Sequence, residues 1–241
     1  MQIMLHGPLL ASGALQFAFE RATTEGKVTI GALVVLSFFS WTVIVTKARQ
    51  LYLATTLTRK FLAAYNATSL PLELPRTGDA FGPVPAFHVY RRAANEVERL
   101  LKIAPAPHDP GHMTTPAFEA VKAALEESVG AEAIGLERGM SVLSTAVAGG
   151  PFLGLLGTVW GVMETFAGIA HANAATLTAM APGVAGALIA TVVGLFVAIP
   201  AMFAYNFMVT AIRNLTQELD AFATRFAAQI SLSYVERSAA P

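Results

Sequence analysis

Charged side chains desert three stretches of this chain, and those stretches define its architecture. Val28 to Thr46 is a run of 19 residues without Asp, Glu, Lys or Arg, bounded by Lys27 and Lys47. Gly139 to Met163 is a second such run, of 25 residues. After Glu164 no charged residue appears until Arg213. A bilayer core about 30 Å thick needs about 20 helical residues, each rising about 1.5 Å. The first two runs each supply one span, and the third supplies a loop and a long helix divided at Pro182-Gly183. Proline is tolerated in a first helical turn, where its missing N–H has no partner to lose. The pattern predicts spans at 28–46, 139–163 and 183–206 in an all-α membrane protein. Its helices extend beyond the membrane; the third, begun at Gly183, is expected to run on to Leu219, with Pro200 able to kink it.

The intervening segment 47–138 is water-facing. Its eleven basic and ten acidic residues nearly balance. Leu51–Tyr65 and Phe87–Leu101 read as amphipathic helices separated by a loop rich in Pro71, Pro75, Gly78, Gly82, Pro83 and Pro85. Pro105 to Pro116 is a second break. The stretch Ala117 to Arg138 is strongly helical and is expected to run into the second span. Upstream, Leu10, Leu15, Phe17 and Phe19 give segment 1–27 the look of either a short interfacial helix or a frayed terminus rather than a signal peptide.

Orientation follows from Lys and Arg, which favour the cytoplasmic side. Segment 47–138 holds eleven of the sixteen, and the tail 207–241 adds Arg213, Arg225 and Arg237. The connection 164–182 has none. Segments 47–138 and 207–241 are therefore expected in the cytoplasm, with the N-terminal segment 1–27 and the 164–182 connection periplasmic.

Composition sharpens this picture. The chain is 54% hydrophobic and 13% charged, about half the charge of a soluble domain. Sixteen basic residues against sixteen acidic leave no field to recruit nucleic acid. There is no cysteine, so disulfides, zinc ribbons and thiol chemistry are excluded. No phosphate-binding glycine loop appears, no cofactor is implied, and an enzyme is not expected. His108 and His112 have metal-like spacing but lack a third ligand. Ser37, Ser40, Ser141 and Ser144 have no histidine within a span to activate them.

Small residues line one face of the second and third spans. Gly150, Gly154, Gly157 and Gly161 recur at steps of four, three and four. Gly183, Ala187, Thr191, Gly194, Ala198 and Ala201 do the same. Helices in lipid associate through such residues because close backbone approach supplies the contact. Gly154, Gly157, Gly161, Gly183, Ala187 and Gly194 are the expected packing positions. Thr158 and Thr191 fall at similar depth on antiparallel spans. Their hydroxyls either return to their own helix backbone or face a polar pathway. No carboxylate lies inside a span, and Glu164 stands at an outer end as a candidate outer-mouth acid. Proton transport needs a titratable group on the path, so a second polypeptide would have to bring one.

The stretch Phe152-Leu-Gly-Leu-Leu-Gly-Thr-Val-Trp-Gly161, followed by Ala181-Pro-Gly-Val-Ala-Gly-Ala-Leu-Ile-Ala-Thr191, Gly194-Leu-Phe-Val-Ala-Ile-Pro-Ala201 and Tyr205-Asn206, resembles the TolQ/ExbB branch of the MotA/TolQ/ExbB proton-channel family. The match is specific over about residues 150–206. The resemblance implies a homo-pentamer around the single-span helices of two TolR/ExbD-like chains that supply the intramembrane Asp, with a TonB/TolA-like protein as a further partner. It implies that Thr158 and Thr191 face the pore near that Asp. It also implies an inner-membrane motor that couples proton flow to outer-membrane work. One position departs: Gly186 stands where the family usually has Glu, a residue implicated in the proton path. A small secondary transporter and a non-conducting membrane scaffold are the competing classes.

Overall fold

A computed structural model of the chain describes residues 24–68, 70–74, 81–107, 109–172 and 177–236. The expected N-terminal interfacial helix and His108 lie outside them. Among the described residues, five helices and a small hairpin follow in order: α1 (Thr24–Asn66), α2 (Pro85–Ile103), β1 (Pro105–Ala106), β2 (Asp109–Met113), α3 (Thr115–Glu137), α4 (Met140–Ala172) and α5 (Leu177–Tyr234). The protein is a mostly helical membrane protein, and α1, α4 and α5 are each long and apolar enough to cross a bilayer. Contacts divide the chain into two units, residues 1–46 with 139–207 and residues 47–138 with 208–241.

The first unit is built from apolar segments of α1, α4 and α5. Its large side chains point outwards: Phe38 is 72% exposed, Phe152 72% and Phe196 80%. Leaving such groups in water would forfeit about 1.5–3 kcal/mol each, so a hydrocarbon surround accounts for them. Inside, Ile30 of α1 packs with Ile189 and Ala190 of α5.

The second unit has a conventional core. Phe61, Tyr65, Phe87, Tyr90, Phe222 and Phe226 are buried together. Edge-to-face pairs knit them, with centroids 5.1 Å apart for Tyr65–Phe222 and 5.8 Å for Phe61–Phe222. The buried polar tips find partners: Tyr65 donates to Gln229 Oε1 at 2.5 Å and Tyr90 to the Leu74 carbonyl at 3.0 Å. Burial, then the neighbouring Tyr90, pushes the Tyr65 phenol well above its ordinary range, with Arg225 opposing. Pro85 opens α2 where its missing N–H costs nothing. Thr114 caps α3, its hydroxyl accepting from the Ala117 N–H at 3.4 Å. Lys47, 8% exposed, donates to the Leu136 carbonyl at 3.0 Å and Gln50 Oε1 at 2.9 Å. Such acceptors near the C-terminal end of α3 carry partial negative charge and suit a cation.

Three expectations need correction. The break at 105–116 contains an antiparallel hairpin that pairs Pro105 with Met113 and Ala106 with Asp109. Within β2 the Gly111 N–H donates to Asp109 Oδ1 at 3.2 Å, and Met113 also bridges Val235. Second, α3 does not run into the next span: it ends at Glu137, and Gly139 adopts φ +84°, a left-handed conformation that stops a helix. Third, the connection 164–182 is mostly helical. Helix α4 continues eight residues past Glu164 to Ala172, and α5 starts at Leu177, upstream of Pro182. Only the one bond of the absent Pro182 N–H is lost there, too little to stop the helix. The expected extension of the third helix beyond the membrane is borne out: α5 passes through Pro200 and beyond Leu219 to Tyr234.

Candidate functional site

Within the first unit, α4 and α5 run antiparallel and meet backbone to backbone. A Cβ added at Gly150 would come 3.0 Å from the Gly194 carbonyl, and one at Gly154 would come 2.9 Å from that of Ala190. At Gly157 and Gly161 it would stand 2.6 Å from Ala190 Cβ and 2.8 Å from Ala187 Cβ. At Gly194 it would meet the Gly150 carbonyl at 2.5 Å, and at Gly183 it would collide with the Thr165 side chain. The structure thus brings all six expected packing residues to one seam. At Gly154, Gly157, Gly161 and Gly194 an added Cβ would come within 3.0 Å of the facing helix, so the seam would have to shift to admit it.

That closeness positions the two threonines. Thr158 and Thr191 hydrogen-bond one another, and either can donate. Thr158 Oγ1 lies 3.1 Å from the carbonyl of Gly154, four residues back on its own helix, and 3.2 Å from that of Ala187 on α5. Ala187 is four residues before Thr191, whose Oγ1 in turn lies 3.2 Å from the same Gly154 carbonyl. Each hydroxyl therefore reaches the backbone acceptor that precedes the other threonine by one turn. Two hydroxyl hydrogens face more acceptors than they can fill, so the pattern can reverse by rotation about the Cβ–Oγ bonds alone. Both side chains are part-buried.

The other proposed residues are dispersed. Glu164 is exposed on α4. Gly186 is buried on α5. His112 lies in the second unit, its Nδ1 2.6 Å from Asp109 Oδ2. The His112 ring beside it, then the hydrogen bond from the Gly111 N–H, holds the Asp109 carboxyl below its usual range. Spacing alone missed two hydroxyls of the seam. Thr29 of α1 packs where a side chain on Gly157 would sit, and Thr165 donates to the Gly161 carbonyl at 2.7 Å. Thr165 lies seven residues after Thr158, a two-turn interval that was the available signal.

A three-helix membrane unit with a glycine-lined seam and a hydroxyl pair inside it defines the class: a polytopic helical membrane protein. Residues 84–221 match the model of the MotA/TolQ/ExbB proton channel family. The chain is 30% identical over 212 residues to the Tol-Pal system protein TolQ of Haemophilus influenzae, covering 86% of this chain and 90% of that one. It is 41% identical over 118 residues to the TolQ of Pseudomonas aeruginosa, spanning 48% of that protein's length. It is 44% identical over 105 residues to the biopolymer transport protein ExbB of Xanthomonas campestris pv. campestris, spanning 42% of it. The chain belongs to the MotA/TolQ/ExbB proton channel family.

Proposed function

We propose that the chain is the proton-channel subunit of an inner-membrane motor driven by the proton-motive force, which energises outer-membrane processes through a TolR/ExbD-like partner. The observation that carries this reading is the Thr158–Thr191 pair: two reorientable hydroxyls joined across antiparallel helices, in a family of proton channels. A hydroxyl pair relays a proton by accepting one and releasing its own, but it does not store charge. The stored proton needs an acid, and the TolR/ExbD-like chain would bring that Asp in its single span. Five copies of this chain would surround two such helices, with Thr158 and Thr191 towards them and Glu164 at the outer mouth. A TonB/TolA-like protein would carry the movement outwards.

The uneven distribution of Lys and Arg supports a cytoplasmic second unit, a periplasmic start to α1 and a periplasmic link between α4 and α5. A scaffold reading has one observation in its favour, the Thr158 bond to its own Gly154 carbonyl, which a silent threonine also makes.

Native mass spectrometry of the chain, co-expressed with its neighbouring reading frames and purified in mild detergent, tests the assembly. Five copies bound to two copies of a single-span, Asp-containing chain is the expected result. A monomer without a partner would overturn the motor reading.

A further inference from the structure

The periplasmic end of α1 holds a carboxylate that the hydroxyl pair does not account for. Glu25 lies in the first turn of α1, half-buried, and its Oε2 is fully buried with no hydrogen-bond partner. A helix start favours an acid, which explains why Glu is tolerated there. It does not explain why one oxygen is shielded from solvent and left bare. A carboxylate oxygen so placed has neither water nor a donor beside it, and ionisable groups kept at membrane level mark ion pathways.

Helix register places this group. Ile30 packs with Ile189 and Ala190, while Val34 and Phe38 share a groove with Val193 and Val197. Contact numbers rise together along α1 and α5, so these helices run parallel. Along α4 they run in opposition, from Gly150 against Ala198 to Gly161 against Ala187. Thr29 meets Gly157, at the level of Thr158 and Thr191. One turn outward from there lie Glu25 on α1, Gly161 on α4 and Gly186 on α5. The backbone carbonyl of Glu25 accepts from the Thr29 hydroxyl at 2.9 Å, and the four-residue interval sets the two side chains on one helix face. Gly26, Gly161 and Gly186 are all buried at this level, and none carries a side chain to neutralise the carboxylate. The other charged groups near this end of the described helices are Lys27 of α1 and Glu164 of α4, both exposed. Between Leu177 and Phe207, α5 has no Asp, Glu, Lys or Arg.

We infer that Glu25 is the outer proton-loading group of the channel, supplying from α1 a carboxylate one turn outward of the hydroxyl pair. The inference rests on the proton-channel reading. Glu25 takes a proton from the periplasmic side on Oε2. It passes that proton inwards over about 6 Å, one helical turn, through water to the hydroxyl pair. The pair accepts one proton and releases one, so charge and atoms balance at each transfer.

Proton flux into vesicles carrying the complete complex tests the assignment. Wild type, Glu25→Gln and the double variant Glu25→Gln with Gly186→Glu are compared, each checked for assembly by native mass spectrometry. The expected result is a loss of about 10²-fold or more in Glu25→Gln, with subunits and partner retained, and recovery in the double variant. Peptide mapping after treatment of the wild-type complex with dicyclohexylcarbodiimide, which attacks protonated carboxyls in apolar surroundings, should find the label on Glu25. Undiminished flux in Glu25→Gln would overturn the inference and leave the channel reading standing. Loss of assembly in Glu25→Gln would assign the carboxylate to folding and overturn it as well. No flux in wild type would remove the channel reading itself.

Discussion

Thr158 and Thr191, 33 positions apart in sequence, hydrogen-bond each other across the α4–α5 seam and share the Gly154 carbonyl. Their proximity depends on the absence of side chains at Gly154 and Gly194, because a Cβ at Gly154 would stand 3.0 Å from the Cα of Thr191. Packing and chemistry are therefore one feature: the glycines let the backbones approach, and that approach is what pairs the hydroxyls.

Removing either hydroxyl separates the two roles. Interhelical hydrogen bonds in membranes are worth about 0.6 kcal/mol on average, so Thr158→Ala and Thr191→Ala should keep the oligomer and its partner. Proton flux in vesicles should nonetheless collapse, while Thr158→Ser retains it. Full flux in both alanine variants would show that the hydroxyls only pack.

Enlarging the seam should do the reverse. Gly194→Ala must push against the Gly150 carbonyl, 2.5 Å from the new Cβ, and Gly154→Ala against that of Ala190 at 2.9 Å. Backbone cannot rotate aside as a side chain does, so each should cost about 1–3 kcal/mol. Gly168→Ala is the control, since nothing lies within 4 Å of its added Cβ. Thermal unfolding in detergent should rank Gly168→Ala near wild type and the two seam variants well below it.

The membrane helices and the seam were legible because each obeys a local rule. A span needs an uncharged run, and a close contact needs small residues at turns of three and four. Glu25 was not legible, because the uncharged run starts at Val28 and the helix starts at Thr24, one turn earlier. The aromatic core was half legible. Phe61 with Tyr65 and Phe222 with Phe226 are evident i,i+4 pairs, but spacing does not say that they meet across 150 or more residues. Pro105 to Met113 read as a loop because strands this short carry no alternation, and Pro110 and Gly111 hide the pairing.

Two glycines flanking and within α3 should respond with opposite signs. Gly139 has φ +84°, and Ala there is strained by roughly 1–2 kcal/mol. Gly130 lies inside α3 with nothing within 4 Å of an added Cβ, so Ala should gain about 0.5–1 kcal/mol from helix propensity. Chemical denaturation of the two variants beside wild type measures both. Equal effects would mean that α3 does not end where Gly139 ends it.

Tyr65 should set the alkaline limit of the second unit. Its phenol is buried, donates to Gln229 Oε1 at 2.5 Å, and is pushed upwards chiefly by that burial. In the unfolded chain a tyrosine releases its proton near pH 10; in the folded chain this one holds it. The folded state then binds more protons than the unfolded state, so stability falls as pH rises past about 10 and is unaffected below. Tyr65→Phe removes the hydrogen bond, which should cost about 1 kcal/mol at neutral pH, and removes the titrating group with it. Melting curves of the full chain in detergent between pH 7 and pH 11 should therefore converge: wild type starts higher and declines more steeply at the alkaline end. Lys and Arg titrate identically in both proteins, so the difference between the curves isolates Tyr65. Parallel curves across that range would place the phenolate of Tyr65 in contact with water.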